Sequence, residues 1–271
     1  MKLKGKVALI TGSGSGIGLE IAAAMALEGA AIIINDISEA NISAAIERIR
    51  GFDVQYLGVR CDVSSSKEVK DMFKSILNKF NTLDILVNNA GITVNDEKVN
   101  ENYKKLSEQI LTTGTCNISL GATRNLTDIA WDNMLKVHLY GTFHCTREAL
   151  NIMEDKGYGK IINIASVCGI AGGVGAPAYS AAKGGIIAFT KAVAAEVIRV
   201  GVYVNCIAPG YIDTPFLNTM SPEALTSVLF ATPMGRLGKA SEIAPLAVFL
   251  ASEDSSYIVG QVISPNGGMV L

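Results

Sequence analysis

Long uncharged apolar runs are missing from this chain, although 49% of its 271 residues are hydrophobic. Charges at Glu20, Glu28 and Asp36 break up even the richest segment, so no stretch approaches the roughly 18 residues of a membrane-spanning helix. A helical membrane protein is excluded, which leaves a sheet buried on both faces, whose strands read as continuous apolar runs. Charge of one sign is not in excess either: 23 basic residues stand against 25 acidic ones, a net charge of −2. Without a basic stripe, nucleic acid is excluded as a partner. Only two histidines occur, His138 and His144, six apart and off a common helical face, which argues against a metal site. Cys61, Cys116, Cys145, Cys168 and Cys206 are odd in number and form no Cys-x-x-Cys. Reduced thiols in a cytoplasmic protein are the expectation. The start, Met1 to Lys6, carries no hydrophobic signal core, so no secretory leader is expected.

What the sequence does have is alternation. Apolar strands are expected at Lys6–Thr11, Ala31–Asn35, Val54–Val59, Asp84–Asn88, Lys160–Ala165, Val202–Ile207 and Gln261–Ser264. Between them lie helical patterns at Gly16–Gly29, Ser38–Arg50, Ser65–Phe80, Asp128–Glu154 and Pro177–Arg199, with shorter ones at Pro222–Phe230 and Glu242–Ala251. Ser38 is a natural N-cap. The alternation predicts an α/β fold: a Rossmann-like, doubly wound parallel sheet of about seven strands, with helices on both faces. Residues 1–271 read as one domain. The exception is an excursion over residues 93–128, which leaves the carboxyl end of the fourth strand. Val99, Tyr103, Leu106 and Ile110 are spaced there as one face of a helix. It is either a plain surface excursion or the shaper of a site mouth, because ligands bind at that edge of such sheets.

The turn Thr11-Gly-Ser-Gly-Ser-Gly-Ile-Gly18 joins the first strand to the first helix. Glycines let backbone approach a ligand closely, and the free N–H groups of the helix start suit a pyrophosphate. The strict G-x-G-x-x-G spacing is absent, since Ile17 stands where the third glycine belongs; the pattern is T-G-x-x-x-G-x-G. Gly12, Ser15, Gly16, Ile17 and Gly18 are the candidate contacts. Asp36 ends the second strand twenty residues beyond Gly16. A carboxylate there accepts ribose hydroxyls and repels a 2′-phosphate, favouring NAD over NADP. Asp62, followed by Val63, is placed to meet the adenine.

Tyr179 and Lys183 stand four apart, on one face of a helix, with Ser166 thirteen residues before the tyrosine. An ammonium there would favour the phenolate, and a tuned phenol can exchange a proton with an alcohol oxygen. Together with Asn88-Asn-Ala-Gly91, Pro209-Gly-Tyr-Ile-Asp-Thr214 and the closing Gly260…Gly268, these motifs resemble the short-chain dehydrogenase/reductase family over essentially the whole length. The resemblance implies one dinucleotide-binding and catalytic domain, with Tyr179 as general acid/base and Lys183 tuning it and bonding the nicotinamide ribose. It further implies Ser166 polarising the substrate oxygen and Asn88 beside the adenosine ribose. Asn89, Ala90, Gly91, Pro209, Gly210, Ile212 and Thr214 complete the implied NAD contacts. One departure is His138, where the family carries an asparagine whose main chain helps hold a proton-relay water. His138 would keep the backbone part and relay protons itself if it titrates near neutrality, or it is simply a packed helix histidine. A second departure is the length of the excursion.

Val167, Cys168, Gly172, Gly173, Tyr211, Phe216 and the Met220–Phe230 helix would wall the substrate site. These small or apolar residues point to a hydrophobic secondary alcohol or ketone. Lys98, Lys104, Lys105 and Arg124 offer the alternative of a 3-oxoacyl or hydroxyacyl thioester on coenzyme A or acyl carrier protein. An alternative from another class is a non-catalytic NAD-binding sensor or partner subunit. The resemblance also implies a homo-oligomer, a dimer or tetramer, pairing through Tyr140–Met153 and Ile186–Val200.

Overall fold

Runs of isoleucine, valine and leucine build the central sheet in the computed structural model of the chain. It describes every residue except 94 and 95, so those two positions of the expected excursion lie outside the described residues. The strands β1 (Val7–Ile10), β2 (Ala31–Asp36), β3 (Tyr56–Arg60), β4 (Ile85–Asn88), β5 (Gly159–Ile164) and β6 (Val202–Ile207) are joined at the far edge by β9 (Val262–Ile263). They pair in parallel in the order β3-β2-β1-β4-β5-β6-β9. A small second sheet pairs β7 (Ile212–Asp213) with β8 (Gly238–Lys239), which the sequence pattern did not predict because two-residue strands have no periodicity to read.

Side chains alternate between the two faces of the sheet with period two. Ala8, Ile10, Ile32 and Ile34 enter one apolar cluster, while Val7, Leu9 and Ile33 enter the other. The first cluster is covered by α1 (Gly16–Leu27), α2 (Glu39–Ile49) and α11 (Ala240–Ala251), through residues such as Ile21, Ile42 and Ile243. The second is covered by α3 (Ser66–Phe80), α7 (Gly141–Lys156) and α9 (Pro177–Val197), through Met72, Met153 and Val193. Each fully buried isoleucine contributes roughly 1.5–3 kcal/mol. Double coverage is therefore why the strands carry few polar residues. The Ser38 hydroxyl caps α2 by accepting from the Asn41 amide at 3.3 Å, as expected.

Strand order reverses between β1 and β4, which opens a crevice at their carboxyl ends. The excursion out of β4 folds into α4 (Glu97–Thr113) and the short α5 (Ala122–Asn125), and leads into α6 (Asp128–Leu135). Asp96 starts α4 by accepting from the Lys98 and Val99 amides. α4 packs against α10 (Pro222–Ala231) above that crevice. The helical pattern read at Asp128–Glu154 is α6 and α7 joined by a π-helical stretch, Lys136–Tyr140. Such bulges recur at functional sites. α8 (Val167–Ala171) is a further short helix, begun by the Ser166 hydroxyl accepting from the Cys168 amide at 3.1 Å.

Candidate active site

A cavity of about 240 Å³ opens at the reversal point. One end is made of the β1–α1 turn: Gly12, Ser15, Gly16 and Ile17 line it with Asp36, Asn89 and Gly91. The glycines are required by contact distances. A Cβ on Gly12 would stand 2.8 Å from the Ala90 Cα, and one on Gly18 would stand 2.5 Å from the Asn89 amide nitrogen. Gly16 has φ +55°, with no neighbour nearer than Thr214 at 3.5 Å, so its backbone is bare towards the cavity. Ser15 precedes α1 without capping it, and no acidic residue sits in the first turn. The helix start thus keeps free N–H groups and its positive dipole end for an anion. Asp36 is held by the Gly14 amide at 3.2 Å and the Ser38 amide at 3.0 Å. This cradle fits the pyrophosphate and ribose of a dinucleotide.

The other end holds Ser166, Tyr179 and Lys183, with Pro209, Gly210, Ile212 and Thr214 along the opposite wall. Lys183 lies buried on α9 and donates to the carbonyl of Ile164, the last residue of β5, at 2.7 Å. Burial lowers its ammonium from an ordinary 10.5 to about 8. Burial pushes the Tyr179 phenol well above its ordinary range; Cys168 adds to this, and a hydrogen bond with Ser166 opposes it. Lys183 Nζ stands 5.6 Å from the ring centroid, and burial of the phenol outweighs the depression expected from it. In this arrangement the tyrosine is held as a neutral phenol.

His138 lies in the π-helical stretch and is 1% exposed. Its ring meets the Tyr179 ring edge-on at 5.3 Å and 86°. Nε2 lies 3.1 Å from the Ile92 amide and 2.9 Å from its carbonyl, while Nδ1 is buried without a hydrogen-bond partner among the described residues. A Cβ on Gly91 would come within 2.4 Å of the imidazole. Burial, reinforced by the Lys183 ammonium, lowers the imidazole to about 3. The near-neutral titration expected of it is therefore not found.

Beyond Tyr179 lies a second, larger chamber of about 520 Å³. Val99 and Tyr103 of α4, Met134 of α6, and Val228 of α10 wall it, and the Tyr103 hydroxyl donates to the Val174 carbonyl at 3.1 Å. Val167, Cys168, Tyr179, Tyr211, Phe216 and Leu217 line both spaces. The two spaces meet at these residues.

The short chain dehydrogenase profile matches residues 6–224. This chain belongs to that family. It is 35% identical to a 3-oxoacyl-(acyl-carrier-protein) reductase of Thermotoga maritima, over 100% of both chains. It is 36% identical to a hydroxy(phenyl)methylsuccinyl-CoA dehydrogenase subunit of Thauera aromatica, over 100% of this chain and 99% of the other. The crystal structure of levodione reductase superposes with a TM-score of 0.86 at 31% identity, covering 98% of each chain. The protein is an oxidoreductase of a family that binds nicotinamide cofactors.

Several motif residues do not line the cavity. Asn88 does not face the cavity: it donates to Thr146 at 3.0 Å and Asn163 at 2.8 Å, tying β4 to α7 and β5. Its neighbour Asn89 faces the glycine turn, donating to the Thr11 and Gly12 carbonyls. Ala90 is fixed through its amide by Thr11 at 3.0 Å. Gly18, Asp62 and Val63 also stay outside the lining: Asp62 accepts from Ser64 at 2.9 Å, and Val63 packs against Gly141. Sequence reasoning missed Leu217, Met134 and the tail residues Met269 and Val270, which line the chamber. For Val99 and Tyr103 the helical spacing was the available signal.

Proposed function

We propose that this protein is an NAD(H)-dependent oxidoreductase interconverting a secondary alcohol and a ketone on a largely hydrophobic substrate, with residues 1–271 acting as one dinucleotide-binding and catalytic domain. The carrying observation is that Ser166, Tyr179 and Lys183 meet where a glycine-lined cradle opens into an apolar chamber. A nicotinamide dinucleotide bound in the cradle supplies hydride exchange with the carbinol carbon. Gly12, Ser15, Gly16 and the α1 N-terminus would hold its phosphates, and Asp36 its ribose, and the Asp36 carboxylate disfavours a 2′-phosphate. Ser166 hydrogen-bonds the substrate oxygen and steadies the charge that develops on it. Tyr179, kept protonated by burial, gives its proton to that oxygen as the ketone is reduced and takes it back in the reverse direction. His138, held neutral by burial, is taken as the packed helix histidine, its ring set edge-on against Tyr179.

A second reading is a 3-oxoacyl or hydroxyacyl thioester oxidoreductase, favoured by the names of the two relatives matched along their whole lengths. We further take the protein as cytoplasmic, on its five unpaired cysteines, and as a homo-oligomer, on the exposed Tyr140 and Phe143 beside α7. The test is NADH oxidation with a panel of ketones. The wild type is expected to turn over apolar ketones with NADH in preference to NADPH, and Tyr179→Phe is expected to lose about 10²–10⁴-fold in kcat. Full activity in that variant sinks the assignment, and binding of NAD without turnover of any ketone or thioester would leave the sensor reading instead.

A further inference from the structure

The chamber is almost spent of polar capacity. Thr93 and Thr219 hydrogen-bond each other at 3.2 Å, and Asp96 caps α4. Tyr103 donates to Val174, Ser227 donates to the Glu223 carbonyl at 3.0 Å, and Asn100 is engaged within the protein. No lysine or arginine is among the described residues of its wall. Among the described residues one hydroxyl is left over besides the proposed catalytic pair. Tyr211 stands at the junction, lining both the cradle and the chamber, and among the described residues its phenolic oxygen has one hydrogen-bond partner, the Cys168 sulfur at 3.9 Å. A thiol is a weak acceptor, so the best O–H donor outside the Ser166–Tyr179 pair has no strong acceptor. Its backbone is tied down, because the Tyr211 carbonyl, just before β7, accepts from the Gly238 amide of β8 at 2.9 Å. The ring therefore projects from a rigid mount. A partly buried donor of this kind prefers a ligand that brings an acceptor over one that does not.

We propose that Tyr211 determines specificity by donating its phenolic hydrogen to a second carbonyl oxygen of the substrate, beside the carbonyl that is reduced. The preferred substrate is thus an uncharged apolar body bearing two carbonyl groups, as in a diketone, a 3-oxoester or a 3-oxothioester. This rests on the hydride-transfer reading above and narrows it. Tyr211 leaves the chemical step to Ser166 and Tyr179, so its loss raises KM for the second-carbonyl substrate and spares kcat.

The experiment compares ethyl 3-oxohexanoate with nonan-4-one, which has the same chain length and ketone position but lacks the ester oxygens. Both are assayed with NADH for the wild type, Tyr211→Phe and Cys168→Ala. The wild type is expected to favour the oxoester. Tyr211→Phe is expected to lose about 10-fold in kcat/KM on the oxoester, mostly in KM, and less than about twofold on nonan-4-one. Cys168→Ala retains the preference. A thermal midpoint and an NADH affinity equal to those of the wild type check that Tyr211→Phe folds. An equal change on both substrates, or a wild type indifferent between them, overturns the role of Tyr211 and leaves the hydride-transfer reading intact. Failure of the wild type to reduce either compound counts against both.

Discussion

Both ends of β5 meet a buried lysine, and the two are treated differently. At the carboxyl end, Lys183 donates to the Ile164 carbonyl at 2.7 Å and lies against the proposed catalytic tyrosine. At the amino end, Lys160 is 0% exposed, and its ammonium makes no hydrogen bond among the described residues. It lies 3.8 Å over the ring of Tyr203, its cross-strand partner on β6. Burial lowers the pKa of both. A desolvated charge is costly wherever it is placed. At one end of the strand the carbonyl and the site offset that cost, while at the other a ring face and the charge of Glu253 do. The difference teaches that burial of a lysine marks a functional centre only when the lysine is aimed at something that reacts.

The largest expected effect separates the two in activity. Lys183→Met should lower kcat by about 10²–10⁴-fold, whereas Lys160→Met should leave steady-state kinetics with NADH and a ketone unchanged. Comparable losses in both variants would dissolve the distinction. A smaller effect concerns pH. The folded-state value for Lys183, about 8, lies below its ordinary 10.5, so between these limits the folded chain holds fewer protons than the unfolded one. The contribution of Lys183 to stability therefore rises with pH through that window, and below it the burial penalty is complete. Denaturant titrations at pH 7.5 and pH 10 should show the wild type gaining on Lys183→Met, and a constant difference would contradict the assignment. The smallest effect is on Lys160: replacing a buried charge by an apolar chain is often neutral or stabilising. Lys160→Met should hold the thermal midpoint or raise it by about 2–4 °C. A lower midpoint would mean that the Tyr203 ring more than offsets the cost of burying the charge.

Much of the frame was legible because strands covered on both faces must be apolar throughout. The run Ala31–Asp36 could hardly be anything else, and Ser38 announced the next helix. Ser166, Tyr179, Lys183 and the glycine turn were legible as motifs, and the fold brings them to one crevice. What pattern could not decide was parity at a strand end. Asn88 and Asn89 are alike in chemistry, yet one closes into the sheet and the other faces the glycine turn. Nor does a 3.6-residue period reveal the π-helical stretch that carries His138, since one extra residue per turn leaves no mark on so short a segment. The Val99–Tyr103 spacing predicted a helix face but not its destination. What that face covers depends on α10, more than a hundred residues away along the chain.

α4 carries a consequence for how such proteins diversify. The side chains it contributes to the chamber all come from the stretch between β4 and α6, while those at the reacting oxygen belong to β5, α9 and the turns beside them. One part of the chamber wall is thus carried on a segment separate from the one that holds Ser166, Tyr179 and Lys183, and the two can be inherited independently. Transplanting residues 96–127 into a relative with a shorter connection would move the appetite of the enzyme without rewriting its chemistry.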